Sequence, residues 1–396
     1  SHFKTCQKVL CSGVHEAIRT EDENRRTPDD ALKINNASFL LTKWKMYGLK
    51  NMSSQNHSIL PIHLAAIYRK TESLETLLYS GADPEIRDHF GHTALHLVIT
   101  HWPSIRGPWP KPWTKFQRAM IAMQQRAEAC LRVLCRFGAN VNSPVANGCQ
   151  QTPLHLAVRH GAPSAVAILA GHGANINATD QFGMVPLHMA AGVLDPCMTT
   201  SLIWAGADVN KAMRQSGSTA LHMAISAAVS KAGKTTVTDL QCISELLSHG
   251  ALPDSQNIAG RTPLHEACQG GREEVVDMLL QYNANVNMRT ASGENCLFLF
   301  LDRKSNLCCT TLLRKLLSLT YPFTITDKEG LLPSVLLMPK HDFQRDLLLH
   351  LSQQPLSLLD ICRIYIRQQY GKGQRETLKD LLPDRLFNFL KMPAPL

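Results

Sequence analysis

The sequence lacks the marks of several chemistries. It has no Cys-x-x-Cys pair, and no cysteine–histidine set stands at zinc-ligand spacing, so no metal site is expected. Its twelve cysteines are scattered from Cys6 to Cys362, and several fall on helical core positions, where a free thiol behaves as a small apolar group. They read as reduced thiols of a cytoplasmic or nuclear protein. No run of eighteen apolar residues occurs, so no membrane span is expected. No long run of lysine or arginine occurs either. The net charge of +9 is spread along the chain, which suits acidic partners or solubility and sets direct nucleic-acid binding aside. No serine or cysteine has an evident triad partner, and neither catalysis nor a cofactor is expected. The chain begins at Ser1 without methionine, which leaves an upstream targeting segment open.

What the sequence does have is a recurring phrase. It reads Leu60-Pro61-Ile62-His63, Thr93-Ala94-Leu95-His96, Thr152-Pro153-Leu154-His155, Val185-Pro186-Leu187-His188, Thr219-Ala220-Leu221-His222 and Thr262-Pro263-Leu264-His265. The histidines lie 33, 59, 33, 34 and 43 residues apart. A period near 33 with a Thr-Pro-Leu-His core is the signature of ankyrin repeats, each a turn followed by two antiparallel helices. A stacked array also explains how 396 residues, 44% of them hydrophobic, can bury a core without one oversized globule.

The sixth copy shows the logic most clearly. Thr262 is placed to cap the first helix, and Pro263 suits its first position because its missing N–H would have no partner there. Leu264 and Ala267 face the core one turn apart, and Val275, Val276, Leu279 and Leu280 form the apolar face of the second helix. Gly81, Gly138, Gly173, Gly206 and Gly250 each follow a second helix, where glycine takes the left-handed conformation cheaply; Asn283 stands there in the sixth copy. The phrase histidines resemble the turn-bracing residues of ankyrin folds, and their recurrence accounts for them without catalysis.

Repeats begin near Ile59, Asp88, Gly148, Asp180, Ser216, Asn257 and Ala291. The seventh puts Phe298 where the histidine belongs, and a half-legible eighth begins at Asp327. Terminal repeats lose consensus because one face meets solvent. Residues 1–58 read as a degenerate N-terminal cap, in which Val14-His15-Glu16-Ala17-Ile18 resembles a first helix. The array over 59–340 carries insertions near 100–125 and 228–237, and insertions in repeat proteins map to loops. The first holds Trp102, Trp109 and Trp113, three of the five tryptophans of the chain, with Phe116 beside them. These four are candidate partner anchors. The alternative is a loop folded back to bury its own rings.

Residues 341–396 are different in kind. Ser357 and Asp360 read as a capping box with Asp in place of Glu. Leu358, Cys362 and Ile366 then share one face of a helix suited to an apolar groove. Gly371-Lys372-Gly373 ends that helix. Shorter helices start near Thr377 and near Pro383.

This segment resembles a SOCS box: Ser357, Leu358, Cys362 and Ile366 fill the first half of that pattern. With the array before it, the chain is similar to the ankyrin-repeat-and-SOCS-box family. The resemblance implies an all-α ankyrin solenoid of about seven to eight repeats with a C-terminal three-helix SOCS-box-like module. It implies docking of Leu358, Cys362 and Ile366 on elongin C, with elongin B. Leu382, Pro383 and Leu386 stand where the family contacts cullin 5, but this sequence keeps one proline of the usual two. The expected function is substrate recognition for a cullin–RING ubiquitin ligase by a monomer that holds an unidentified protein target. The alternative is a non-ligase scaffold whose last helices only cap the array.

Overall fold

The structure is a computed structural model and describes residues 60–103, 115–146, 148–231, 235–320 and 324–353. Within these residues it is built from helices and turns, with no strand. Each phrase opens a short helix: α1 (Pro61–Ile67), α3 (Ala94–Thr100), α5 (Pro153–Arg159), α7 (Pro186–Gly192), α9 (Ala220–Ser230) and α11 (Pro263–Gln269). A seventh, α13 (Cys296–Leu301), follows in register. Each is paired with a second helix: α2 (Thr71–Tyr79), α4 (Lys115–Arg136), α6 (Pro163–Gly171), α8 (Pro196–Trp204), α10 (Val237–Ser248), α12 (Glu273–Gln281) and α14 (Thr310–Leu319).

Odd-numbered helices pack side by side from α1 to α13, and even-numbered helices from α2 to α12, giving two layers. The core is the seam between them. Leu95, Leu154, Leu187, Leu221 and Leu264 are fully buried from the first layer, and Leu74, Leu131, Leu169, Leu202 and Leu246 from the second. A seven-residue helix has too few internal hydrogen bonds to stand alone, so stacking supplies its stability. The backbone conformation that ends the second helices is the one expected of glycine: φ is +88° at Gly81, +82° at Gly173 and +94° at Gly206, and Asn283 takes it at +64°.

The insertions open between the two helices of one repeat, never at the joint between repeats. The first separates α3 from α4, and helix resumes at Lys115, so the stretch near 100–125 is only partly loop. The base of this insertion is tied down, with Arg69 Nη1 donating to the His101 carbonyl at 2.8 Å. The second lies between α9 and α10. Lys231 pairs with the buried Asp239, and Arg272 donates to the carbonyls of Val229 and Lys231.

The array degrades toward its C-terminal end. The eighth turn still closes, as Asp327 Oδ1 accepts the N–H groups of Glu329 and Leu331. Two short 3-10 turns, Ser334–Leu337 and Pro339–His341, then replace a first helix. The last described helix is α15 (Asp342–Gln353). The expected N-terminal cap at 1–58 and the segment after Gln353 lie outside the described residues.

Candidate interaction surface

The geometry of the array rests on how each phrase histidine is held. Its Nδ1 accepts the backbone N–H of the residue before the helix: 3.0 Å at Thr93–His96, 3.2 Å at Thr152–His155, 3.1 Å at Val185–His188 and 3.0 Å at Thr262–His265. An N–H can only donate, so Nδ1 carries no proton and Nε2 does. That Nε2–H donates to a carbonyl in the next turn. The acceptors are Ile86 for His63 at 3.0 Å, Ser143 for His96 at 2.9 Å and Met184 for His155 at 3.0 Å. The series continues with Lys211 for His188 at 2.8 Å, Arg261 for His222 at 3.0 Å and Met288 for His265 at 3.0 Å. The histidines therefore brace their own turn and bolt each repeat to its successor.

Burial disfavours the charged ring. It holds His96 down at about 4 and lowers His155, His188 and His222 below the ordinary imidazole range, against the opposing pull of the carbonyl each one faces. The threonine of the phrase does less capping than expected. At Thr93, Thr152, Thr219 and Thr262 the hydroxyl bonds the histidine ring, and at Thr262 it also accepts the His265 N–H, at 3.4 Å.

In the seventh repeat Phe298 replaces the histidine, and Asn295 does both jobs. Its Oδ1 accepts the Phe298 N–H at 2.8 Å, and its Nδ2 donates to the Thr324 carbonyl at 2.8 Å. A neutral amide there spans the same joint.

The turns form a row of fingers linked by backbone bonds. Ala146 donates to Gly91, Gln181 to Cys149, Ile258 to Ser216, Ala291 to Ala259 and Lys328 to Ser292. A side chain at Gly260 would meet the Ala291 nitrogen at 2.5 Å, and its φ is +71°. Glycine is thus required by both space and backbone. Alternate fingers carry an exposed apolar tip: Phe90 is 47% exposed, Phe182 48% and Ile258 69%. Sequence reasoning missed these three, although each lies within three residues of the glycine that marks its finger.

Of the candidate anchors in the first insertion, Trp102 is 6% exposed and belongs to the core. Trp109 and Trp113 lie outside the described residues, and only the backbone of Phe116, in α4, is described. The exposed described tryptophan is Trp204, at the end of α8, 80% exposed. Leu358, Cys362, Ile366, Leu382, Pro383 and Leu386 also lie outside the described residues. Among the described residues no cluster of three or more His, Cys, Asp or Glu side chains is placed to hold a metal ion. No described helix is long and apolar enough to cross a membrane.

Two layers of paired helices joined by linked fingers define a helical repeat solenoid. The profile for ankyrin repeats in three copies matches residues 117–180, 187–290 and 232–318, and the single ankyrin-repeat profile matches 59–89. The chain belongs to the ankyrin-repeat family. Human inversin is 28% identical over 233 residues, 57% of this chain and 18% of inversin. The mouse B-cell lymphoma 3 protein homolog is 31% identical over 183 residues, 45% of this chain and 39% of that protein. The chain thus spans less than half the length of either relative. The crystal structure of the Bcl-3 ankyrin repeat domain superposes with a TM-score of 0.50 at 21% identity, over 64% of this chain and 97% of that domain. That likeness is one of fold. The human ASB11 ankyrin repeat domain gives a TM-score of 0.47 at 23% identity, over 64% and 97%. Ankyrin repeats are protein-interaction modules, and the described array is one.

Proposed function

We propose that this protein is a substrate-recognition adaptor of an elongin B/C–cullin–RING ubiquitin ligase and performs no bond chemistry itself. The array holds a protein target, and the C-terminal segment docks on elongin C through Leu358, Cys362 and Ile366. Leu382, Pro383 and Leu386 stand at the cullin 5 contact. Joining the two ends in one chain raises the effective concentration of target lysines near the recruited enzyme. The cell compartment consistent with reduced thiols is cytoplasmic or nuclear. The observation that carries this reading is the placement of a Ser-Leu-x-x-x-Cys-x-x-x-Ile stretch directly after a bolted interaction array.

The test is co-expression with elongins B and C followed by size-exclusion chromatography. A ternary peak that is lost with Leu358→Ala and Cys362→Ala is expected. A folded monomer that never co-elutes overturns the reading. The second reading is a scaffold whose tail only covers the array. It is favoured by the apolar surface that α15 leaves open just before residue 354, where Phe343 is 78% exposed. Under that reading the same substitutions lower array stability by about 2–5 kcal/mol for each buried leucine deleted.

A further inference from the structure

Each finger glycine packs against one residue of the next finger. That residue is Ala146 for Gly91, Arg214 for Gly183, Ile258 for Gly217, Ala291 for Gly260 and Lys328 for Gly293. Alanine serves twice, so the turn itself asks for nothing larger. Lys328 is engaged, its Nζ donating to the Ala291 carbonyl at 3.2 Å. Arg214 and Ile258 are the two large residues in this row that the fingers do not use.

They stand on a continuous edge. A Cβ at Gly183, beside Phe182, would lie 3.0 Å from Arg214 Cβ, and one at Gly217 would lie 3.0 Å from the Ile258 nitrogen. Phe182 is 48% exposed and Ile258 69%, and Arg214 between them is exposed as well. Two large apolar tips kept in water, one on either side of a cation, are costly to the free protein and suit an interface.

The charges of these turns fall into two groups. Every carboxylate is spent on backbone. Asp180 accepts the N–H groups of Phe182 and Met184, Asp208 that of Asn210, and Asp254 that of Asn285. Of the cations, Arg261 holds Gln269 at 3.0 Å. Lys211 and Arg214, both exposed on the finger 211–217, have no side-chain partner among the described residues. The middle of the edge therefore presents positive charge with no acid set against it.

We infer that the edge of the array from Phe182 to Ile258 receives an acidic segment of the bound protein, with an Asp or Glu carboxylate on Arg214 and apolar side chains on Phe182 and Ile258. Packed helices lie about 8–10 Å apart, so these two tips, two fingers apart, are spanned by about five or six residues of an extended chain. The acid belongs near the middle of that span, and Lys211 adds to its attraction. The inference rests on the array's role in protein binding and is independent of the elongin-docking tail.

The experiment selects short random peptides from a displayed library on the full chain, then measures their affinity for it and for Arg214→Gln, Arg214→Glu, Phe182→Ser and Ile258→Ser. The expected binders carry an acid between two apolar residues. Arg214→Gln should weaken them about threefold and Arg214→Glu at least about tenfold, because reversal adds repulsion to the lost attraction. Changing the binder's acid to lysine should weaken binding to the unaltered chain and restore it to Arg214→Glu. Phe182→Ser and Ile258→Ser should each weaken binding about tenfold. Binders that lack an acid, or that ignore Arg214→Glu, overturn this inference and leave the interaction role standing. A library that yields no binder at all overturns both.

Thermal melting supplies a second readout. Arg214→Gln is expected to melt with the unaltered chain. A clearly lower melting point would mean that the guanidinium is held within the array, and would overturn the inference.

Discussion

The central repeats and the seventh repeat solve the same joint with different chemistry. From α1 to α11 an imidazole accepts on one nitrogen and donates on the other, linking a helix start to the next turn. At α13 one asparagine amide spans that distance, accepting with its oxygen and donating with its nitrogen. The requirement is thus one acceptor and one donor held at a fixed separation, and histidine is one of two ways to meet it. The two differ in one property. The ring titrates and the amide does not.

The largest contrast between centre and end is expected from core truncation. Leu187 and Leu297 are both essentially unexposed. Changing either to alanine should cost about 2–5 kcal/mol. In a one-dimensional array a central lesion uncouples two blocks, whereas a terminal one frays an end. Urea unfolding of Leu187→Ala should therefore broaden or split, and that of Leu297→Ala should lose only its last helices. A single sharp transition in both would mean that the array unfolds as one unit.

Acid should separate the two kinds of joint. Because His96 sits at about 4 when folded and near 6.5 when unfolded, the unfolded chain takes up the proton first as pH falls. Its stabilisation is present above pH 6.5 and is lost as pH falls toward 4, on the order of 3 kcal/mol in all. His155, His188 and His222 add in the same direction. Urea midpoints measured between pH 7 and 4 should fall, and His96→Gln should flatten that fall. Hydrogen exchange should show the turn after His96 opening with acid, while the Asn295 turn stays protected to the same degree.

A smaller effect is expected from cutting a single joint. His155→Ala leaves the Thr152 N–H and the Met184 carbonyl without their partner, and Asn295→Ala does the same to the Phe298 N–H and the Thr324 carbonyl. Each should cost about 1–3 kcal/mol. The double change Asn295→Thr with Phe298→His should recover most of the Asn295→Ala loss in a thermal melt. Failure to recover would show that the two joints are not interchangeable.

The period, the helix pairs and the glycine positions were legible in the sequence, because each follows from a local rule that repeats. Thr262 and Pro263 announce a helix start, and Gly250 or Asn283 a helix end, wherever they occur. What the sequence could not show depends on contacts between repeats. That Nε2 of His63 reaches Ile86 is a fact about stacking, and so is the replacement of histidine by Asn295 rather than by Phe298 at its own position. The tryptophans of the first insertion drew attention by composition alone, yet Trp102 is spent on the core while Phe90, Phe182 and Ile258 stand exposed on the fingers.

Both insertions enter where the first helix of a repeat turns into its second, at the end of the helices away from the fingers. Extra chain there lengthens a bridge within one repeat and leaves the joints to its neighbours alone. The histidine of each enlarged repeat, His96 and His222, still finds its carbonyl in the following turn. The array therefore tolerates growth on one edge while the opposite edge keeps its phase. New sequence can be tried out along the first without shifting the ruler marked by the second.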